Sequence, residues 1–297
     1  MYWNRLNDYL KQTFGCKVYK LALSSGCSCP NRDGTLGTRG CVFCDGAGAF
    51  AEQGDIAAQL AAARQRVSAK AGPDAKYIAY LQSFTNTYAP VERLRALYTA
   101  AMAPADVAVL SVATRPDCLP PEVLDLLEEL NRTKPVWVEL GLQTIHPASA
   151  GWLRRGYDLP VYDQAVRQLK ARSITVVVHQ ILGLPGETRD MMAETARYIG
   201  ASGADGVKFH LLHVLRGTDL AAEWQAGRVP VMDLDTYIAA LEDCLRNIPR
   251  EMVVHRLTGD GAKRDLLSPL WSGDKKRVLN AIHAAFLRDD LEQGSAL

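Results

Sequence analysis

Ser25-Gly26-Cys27-Ser28-Cys29-Pro30-Asn31-Arg32-Asp33-Gly34-Thr35-Leu36-Gly37-Thr38-Arg39-Gly40-Cys41-Val42-Phe43-Cys44 places four of the chain's seven cysteines within eighteen residues. The residues between them are mostly Gly, Pro, Asn, Asp, Ser and Thr. They form turns and keep the sulfurs out of packed elements, so the thiolates are free to converge on a soft metal centre. Spacing alone leaves three chemistries open. Cys27-x-Cys29 with Cys41-x-x-Cys44 suits tetrahedral zinc, three or four of the thiolates suit an iron–sulfur cluster, and exposed thiols can simply be reactive. Cys16, Cys118 and Cys244 lie far apart and read as small buried hydrophobes.

Outward from this loop the chain repeats an apolar strand, a loop and an amphipathic helix. Strands are expected at Val18–Leu23, Tyr77–Leu81, Val107–Val112, Val136–Leu140, Ile174–Leu182, Val207–Leu211 and Met252–His255. Their near-continuous β-branched runs fit a buried parallel sheet. Helical faces recur at Ile56, Leu60 and Val67; at Val91, Leu94 and Leu97; at Val123, Leu124 and Leu127; and at Met191, Thr195 and Tyr198. Pro90, Pro120, Pro121 and Asp233 sit at plausible helix starts, and the last helix is expected over Lys275–Arg288. Repeated βα units give an open sheet or a partial barrel, with chemistry at the carboxyl ends of the strands in either case.

At 297 residues and 48% hydrophobic, the chain can bury a substantial core. A net charge of +1 gives no global field toward nucleic acid or membrane. No apolar run approaches the roughly 20 residues of a membrane span. The N-terminal segment is amphipathic rather than signal-like. An odd number of scattered cysteines fits a reducing compartment, so a cytoplasmic protein is expected.

The cysteine loop resembles that of radical S-adenosylmethionine (SAM) enzymes. More narrowly it resembles the YhcC/YtqA-type branch, related to the radical domain of the elongator catalytic subunit. Cys29–Gly34 matches that branch's Cys-Pro-Asn-Arg-Asp-Gly run, and Gly40–Cys44 its Gly-Cys-x-Phe-Cys. The resemblance extends over nearly the whole chain. It implies an α/β fold, a partial (β/α)6 TIM-like barrel, as one radical SAM domain over 1–297 (core about 15–250, C-terminal extension about 251–297). It implies a [4Fe–4S] cluster on Cys29, Cys41 and Cys44, with one iron left open to SAM, and a flavodoxin- or ferredoxin-type one-electron reductant as partner. Cys27 stands where relatives commonly carry Phe and is read as a bystander.

The same resemblance assigns cofactor-binding roles along the barrel mouth. Phe43 would lie near the adenine, with core packing as the plainer reading. Ser83, Thr85 and Asn86, in Gln82–Tyr88, could accept from the SAM ammonium or form a capped turn. Arg115, in a Thr-Arg-Pro-Asp run, needs an anion if buried, and Asp117 or Glu139 would serve. Glu139 on a strand needs a polar partner. Gln143 would meet the SAM ribose, and Arg155 the SAM carboxylate, unless it caps a solvated helix end. His179 and Gly183 belong to a run resembling the segment that cradles adenosine. His213 is counted with them; His210, His213 and Arg216 follow the sixth strand, where one or both histidines face substrate or sit hydrogen-bonded in the core. His255–Asp260 with Lys263 and Arg264 forms a candidate substrate-facing loop.

The expected function is radical SAM catalysis on the C5 substituent of a tRNA wobble uridine, with tRNA as a candidate partner. No acetyltransferase domain is expected after Leu297. The alternatives are a radical reaction on a small metabolite in anaerobic metabolism, which needs no basic surface, and a non-catalytic zinc- or cluster-binding module.

Overall fold

A computed structural model describes residues 2–45, 54–259, 261 and 263–297. Seven strands form one parallel sheet: β1 (Val18–Leu23), β2 (Lys76–Leu81), β3 (Val107–Thr114), β4 (Val136–Gln143), β5 (Thr175–Leu182), β6 (Gly206–Leu211) and, beyond the short β7 (Val214–Leu215), β8 (Val253–Arg256). Their order is β1-β2-β3-β4-β5-β6-β8, and every neighbouring pair is parallel. The sheet curls into a partial TIM-like barrel. β7 leaves it to pair antiparallel with β9 (Leu266–Ser268). The seven strands fall where hydrophobic runs place them. β8 lies inside the segment expected as a C-terminal extension, yet it completes the sheet by pairing with β6.

Parallel neighbours need long crossovers, and helices supply them. The helices are α1 (Leu6–Phe14), α2 (Ile56–Val67), α3 (Val91–Met102), α4 (Pro121–Asn131), α5 (Pro147–Trp152), α6 (Leu159–Ala171), α7 (Arg189–Ala201), α8 (Asp219–Gln225), α9 (Leu234–Arg246) and α10 (Lys275–Arg288). Starts are fixed by side-chain caps. Asp55, Thr188, Thr218, Asp233 and Asp274 each accept from a backbone N–H in the first turn. Pro121 occupies the first turn of α4, where no N–H is missed.

Two inward-facing layers fill the barrel, because alternate residues of each strand share a face. The lower one is apolar: Val18, Ile78, Val109 and Trp137, with Leu10 of α1 packed beneath them. Two residues further along the same strands the layer turns polar, with Lys20, Tyr80, Ser111 and Glu139, joined by Lys208 from β6. This second layer is the floor of a cavity.

Candidate active site

The loop that follows β1 folds on its own backbone. The N–H groups of Arg32 and Asp33 donate to the Cys29 carbonyl, at 2.8 and 3.2 Å, and that of Leu36 to the Pro30 carbonyl at 2.8 Å. Gly40 has φ 74°, and a Cβ there would lie 2.8 Å from Arg32 Nε, so only glycine lets that guanidinium pass. Arg32 donates to the Cys44 carbonyl at 2.6 Å. Asn31 Nδ2 donates to the Arg154 carbonyl at 2.7 Å and lies 3.4 Å from Cys41 Sγ. The loop thereby delivers Cys29, Cys41 and Cys44 to one cavity of about 340 Å³. Burial pushes the Cys41 thiol up, and the neighbouring Cys44 and Cys29 add to this, while the Asn31 contact opposes it. Burial lowers the Arg32 pKa, but the Cys44 contact and the charges of the three thiols outweigh it, so the net shift is upward.

Cys27 is elsewhere. It lies buried in the main hydrophobic core, close enough to raise the Tyr98 hydroxyl's pKa after burial has done most of that. The four-cysteine zinc site therefore loses a ligand. Among the described residues, no three His, Cys, Asp or Glu side chains converge closely enough to share a single metal ion. Three thiols facing one cavity suit an iron–sulfur cluster, in which each cysteine has its own iron.

The same cavity is lined by Phe43, Ser83, Thr85, Arg115, Glu139, Gln143, Arg155 and His179. A bulge in β4 between Gly141 and Gln143 gives Gln143 a φ of 70° and turns its side chain over Gly141. Arg115 makes a two-pronged pair with Asp117, at 2.7 and 2.9 Å. Arg155 is buried, not solvated. Its donors go to the carbonyls of Leu142, Thr144 and Tyr157, at 2.6–3.3 Å, and its guanidinium lies 4.5 Å from the Tyr157 ring centroid. In this arrangement it ties loops together at the cavity wall.

Three expected residues lie outside the cavity wall. Asn86 is buried and donates to the carbonyls of Leu81 and Ala113, bracing two strand ends. Gly183 turns against Met232, whose Sδ would sit 3.0 Å from a Cβ. His213 packs under Gly259, and His210, one inward step above Lys208, lines the cavity instead. Of the His255–Asp260 stretch, Arg256 reaches the wall, and Asp260 lies outside the described residues.

Sequence reasoning named Glu139 and His179 but missed Lys20, Ser111 and Lys208 in the floor beneath the cavity. Glu139 is fully buried and accepts from Lys20 at 3.0 Å, Ser111 at 2.7 Å and the closely placed Lys208, with His179 Nε2 at 2.8 Å. Burial alone would push its carboxyl up, but the two lysines and His179 hold it well below the usual range. Lys208 itself is pushed down by burial, against the pull of Glu139. A lysine on a strand reads as solvent-facing. Only its position two residues from another inward-facing residue hints otherwise. A larger groove of about 960 Å³ lies on the outer side of the loop, walled by Pro30, Pro90, Pro116, Pro120 and Pro121. It gathers none of the three thiols, so the chemistry belongs to the smaller cavity.

The profile described as "Radical SAM superfamily" matches residues 34–199, and that of its C-terminal domain residues 204–288. The uncharacterized protein YtqA of Bacillus subtilis is 45% identical over 285 residues, covering 95% of this chain and 88% of YtqA. The chain belongs to the radical SAM superfamily. It is a radical SAM enzyme. A tRNA uridine(34) acetyltransferase of Methanocaldococcus jannaschii is 29% identical over 121 residues, 40% of this chain and 22% of that protein. The solved Elp3 of Methanocaldococcus infernus superposes with a TM-score of 0.73 at 16% identity, over 93% of this chain. This radical SAM chain spans 64% of that structure, less than two thirds of its length, and the likeness establishes the fold.

Proposed function

We propose that this radical SAM enzyme acts on the C5 substituent of a tRNA wobble uridine. The observation that carries the chemistry is the meeting of Cys29, Cys41 and Cys44 on one cavity with polar residues at the strand ends. These three cysteines would hold a [4Fe–4S] cluster, with SAM beside it. When bound, the pair would supply reductive one-electron radical chemistry, with a flavodoxin- or ferredoxin-type donor as the electron source. The chain's own residues position and shield. Arg32 places positive charge beside the thiolates. Gln143, Ser83 and Thr85 offer hydrogen bonds to SAM, and Phe43 an aromatic face. The Glu139 network fixes the floor on which substrate rests.

The tRNA substrate is supported by the aligned tRNA uridine(34) acetyltransferase and the shared Elp3 fold. Single-stranded RNA loops present splayed bases, which an open partial barrel can admit. The near-neutral charge of +1 favours the second reading, a small metabolite. Nucleoside mass spectrometry of tRNA from cells with and without the protein decides between them. Loss of one modified uridine is expected. Unchanged nucleosides, with no stimulation of 5′-deoxyadenosine formation by tRNA, overturn the tRNA reading.

A further inference from the structure

Phe84, in the loop after β2, has a φ of 63°, in the left-handed region. A bulky residue enters that region against steric resistance, and it stays there only when its neighbours over-determine it. Here Ser83, Thr85 and Asn86 are buried on either side of it. The Thr85 N–H donates to the Ser28 carbonyl at 3.2 Å. Asn86 Nδ2 donates to the carbonyls of Leu81 and Ala113, at 3.0 and 2.7 Å, which fixes the loop to the ends of β2 and β3.

The side chain that this backbone carries is not packed away. Phe84 is 40% exposed, and it lines the cavity that also receives Cys29, Cys41 and Cys44. The Arg32 guanidinium lies over its ring, 5.8 Å from the centroid, and Arg32 is itself held by the Cys44 carbonyl. A cation over an aromatic ring is attracted to it, so the cluster loop steadies the ring. Core packing accounts for neither the exposure nor the left-handed backbone, since a packed phenylalanine is buried. A flat, accessible, apolar ring on the wall of a reaction cavity suits a planar π system. Bases of single-stranded nucleic acid stack on such rings. Phe43 is the aromatic already offered to SAM, and it belongs to a different loop.

We propose that Phe84 is the stacking platform for the substrate's base, the uracil ring of the wobble nucleotide, and holds that ring in the thiol-lined cavity. The inference rests on the tRNA reading above and adds to it the residue that grips the base.

The test supplies cluster-loaded enzyme with SAM, reductant and tRNA from a strain lacking the gene. It measures tRNA-dependent 5′-deoxyadenosine and the nucleoside that wild type restores. Phe84→Ala should lower kcat/KM about 5–150-fold, mainly through KM, as for one stacked base. Phe84→Tyr, which keeps the ring, should stay near wild type. Phe84→Leu, which keeps apolar bulk without a π face, should behave like Phe84→Ala. SAM affinity, titrated without tRNA, should be the same in each of these proteins. Phe84→Gly, relieved of the left-handed strain, should melt no lower than wild type while losing tRNA turnover as Phe84→Ala does. Phe84→Leu matching Phe84→Tyr, or a melting temperature of Phe84→Gly well below wild type, would overturn the proposal, because bulk or packing would then be its role. A fall in SAM affinity equal to the loss in kcat/KM would also overturn it and assign the ring to the adenine of SAM. Should Phe84→Ala misfold, the Tyr–Leu contrast still decides. If wild type turns over no tRNA, the tRNA reading fails and this inference with it. Turnover by wild type with KM unmoved in Phe84→Ala removes this inference alone.

Discussion

At the scale of single residues, burial separates cysteines that sequence alone presents together. Cys29, Cys41 and Cys44 face the cavity, and Cys27 lies in the core. Alanine at any of the first three should abolish the roughly four irons expected of a loaded cluster. Cys27→Ala should keep them and cost about 1 kcal/mol of stability. Iron analysis and visible absorbance check both, and iron loss in Cys27→Ala would reverse the assignment. His179 gives a prediction with a sign. Burial first, then Lys208, pushes it down to about 4, against Glu139. The folded state keeps the ring neutral where the unfolded chain, near its ordinary 6.5, binds a proton. This stability is complete above the unfolded value and falls as pH drops toward 4. The advantage of wild type over His179→Gln in urea unfolding should therefore shrink on acidification, by up to about 1.4 kcal/mol per pH unit. A pH-independent difference would contradict it. The cysteines were legible because a thiol-rich polar loop has few other uses. Lys20 and Lys208 were not, because nothing in a strand's composition tells an inward lysine from an outward one until its partner, Glu139, is brought over from another strand.

At the scale of elements, the seven strands and α10 were legible from period and length, and α10 matches over Lys275–Arg288. The β7–β9 pair was not, since strands of two and three residues carry no period. The role of α1 was also hidden. Its amphipathic face could have packed anywhere, and only the curled sheet shows Leu10 closing the lower apolar layer beside Val18, Ile78 and Trp137. Leu10→Ala should cost about 2–5 kcal/mol in urea unfolding, as for a buried leucine, while leaving SAM affinity intact. The β4 bulge behaves in the opposite way. A Cβ on Gly141 would lie 2.9 Å from Gln143 Nε2, the mobile end of a side chain, so Gly141→Ala should be cheap in stability. It should still push the amide out of place and weaken SAM binding about as much as Gln143→Ala. Calorimetric titration of both variants tests this, and full SAM affinity in Gly141→Ala would show that the amide does not reach the cofactor.

At the scale of the whole molecule, a net charge of +1 leaves RNA binding to local surface. Lys275, Lys276 and Arg277 are exposed in the first turn of α10, after the Asp274 cap. Cations there oppose the helix dipole, which favours negative charge at an N-terminus. Anticodon phosphates docked on that turn would be favoured by the dipole and by the local positive charge together. Alanine at all three positions should thus leave thermal stability unchanged or slightly raised. It should at the same time weaken tRNA binding and flatten its dependence on salt, by about 0.7–0.9 in the log–log slope for each phosphate that the variant no longer neutralises. Filter binding of tRNA across a series of salt concentrations, beside a melting curve, measures both quantities. An unchanged salt slope in the triple variant would detach this cluster from RNA recognition and return it to an ordinary solvated helix start.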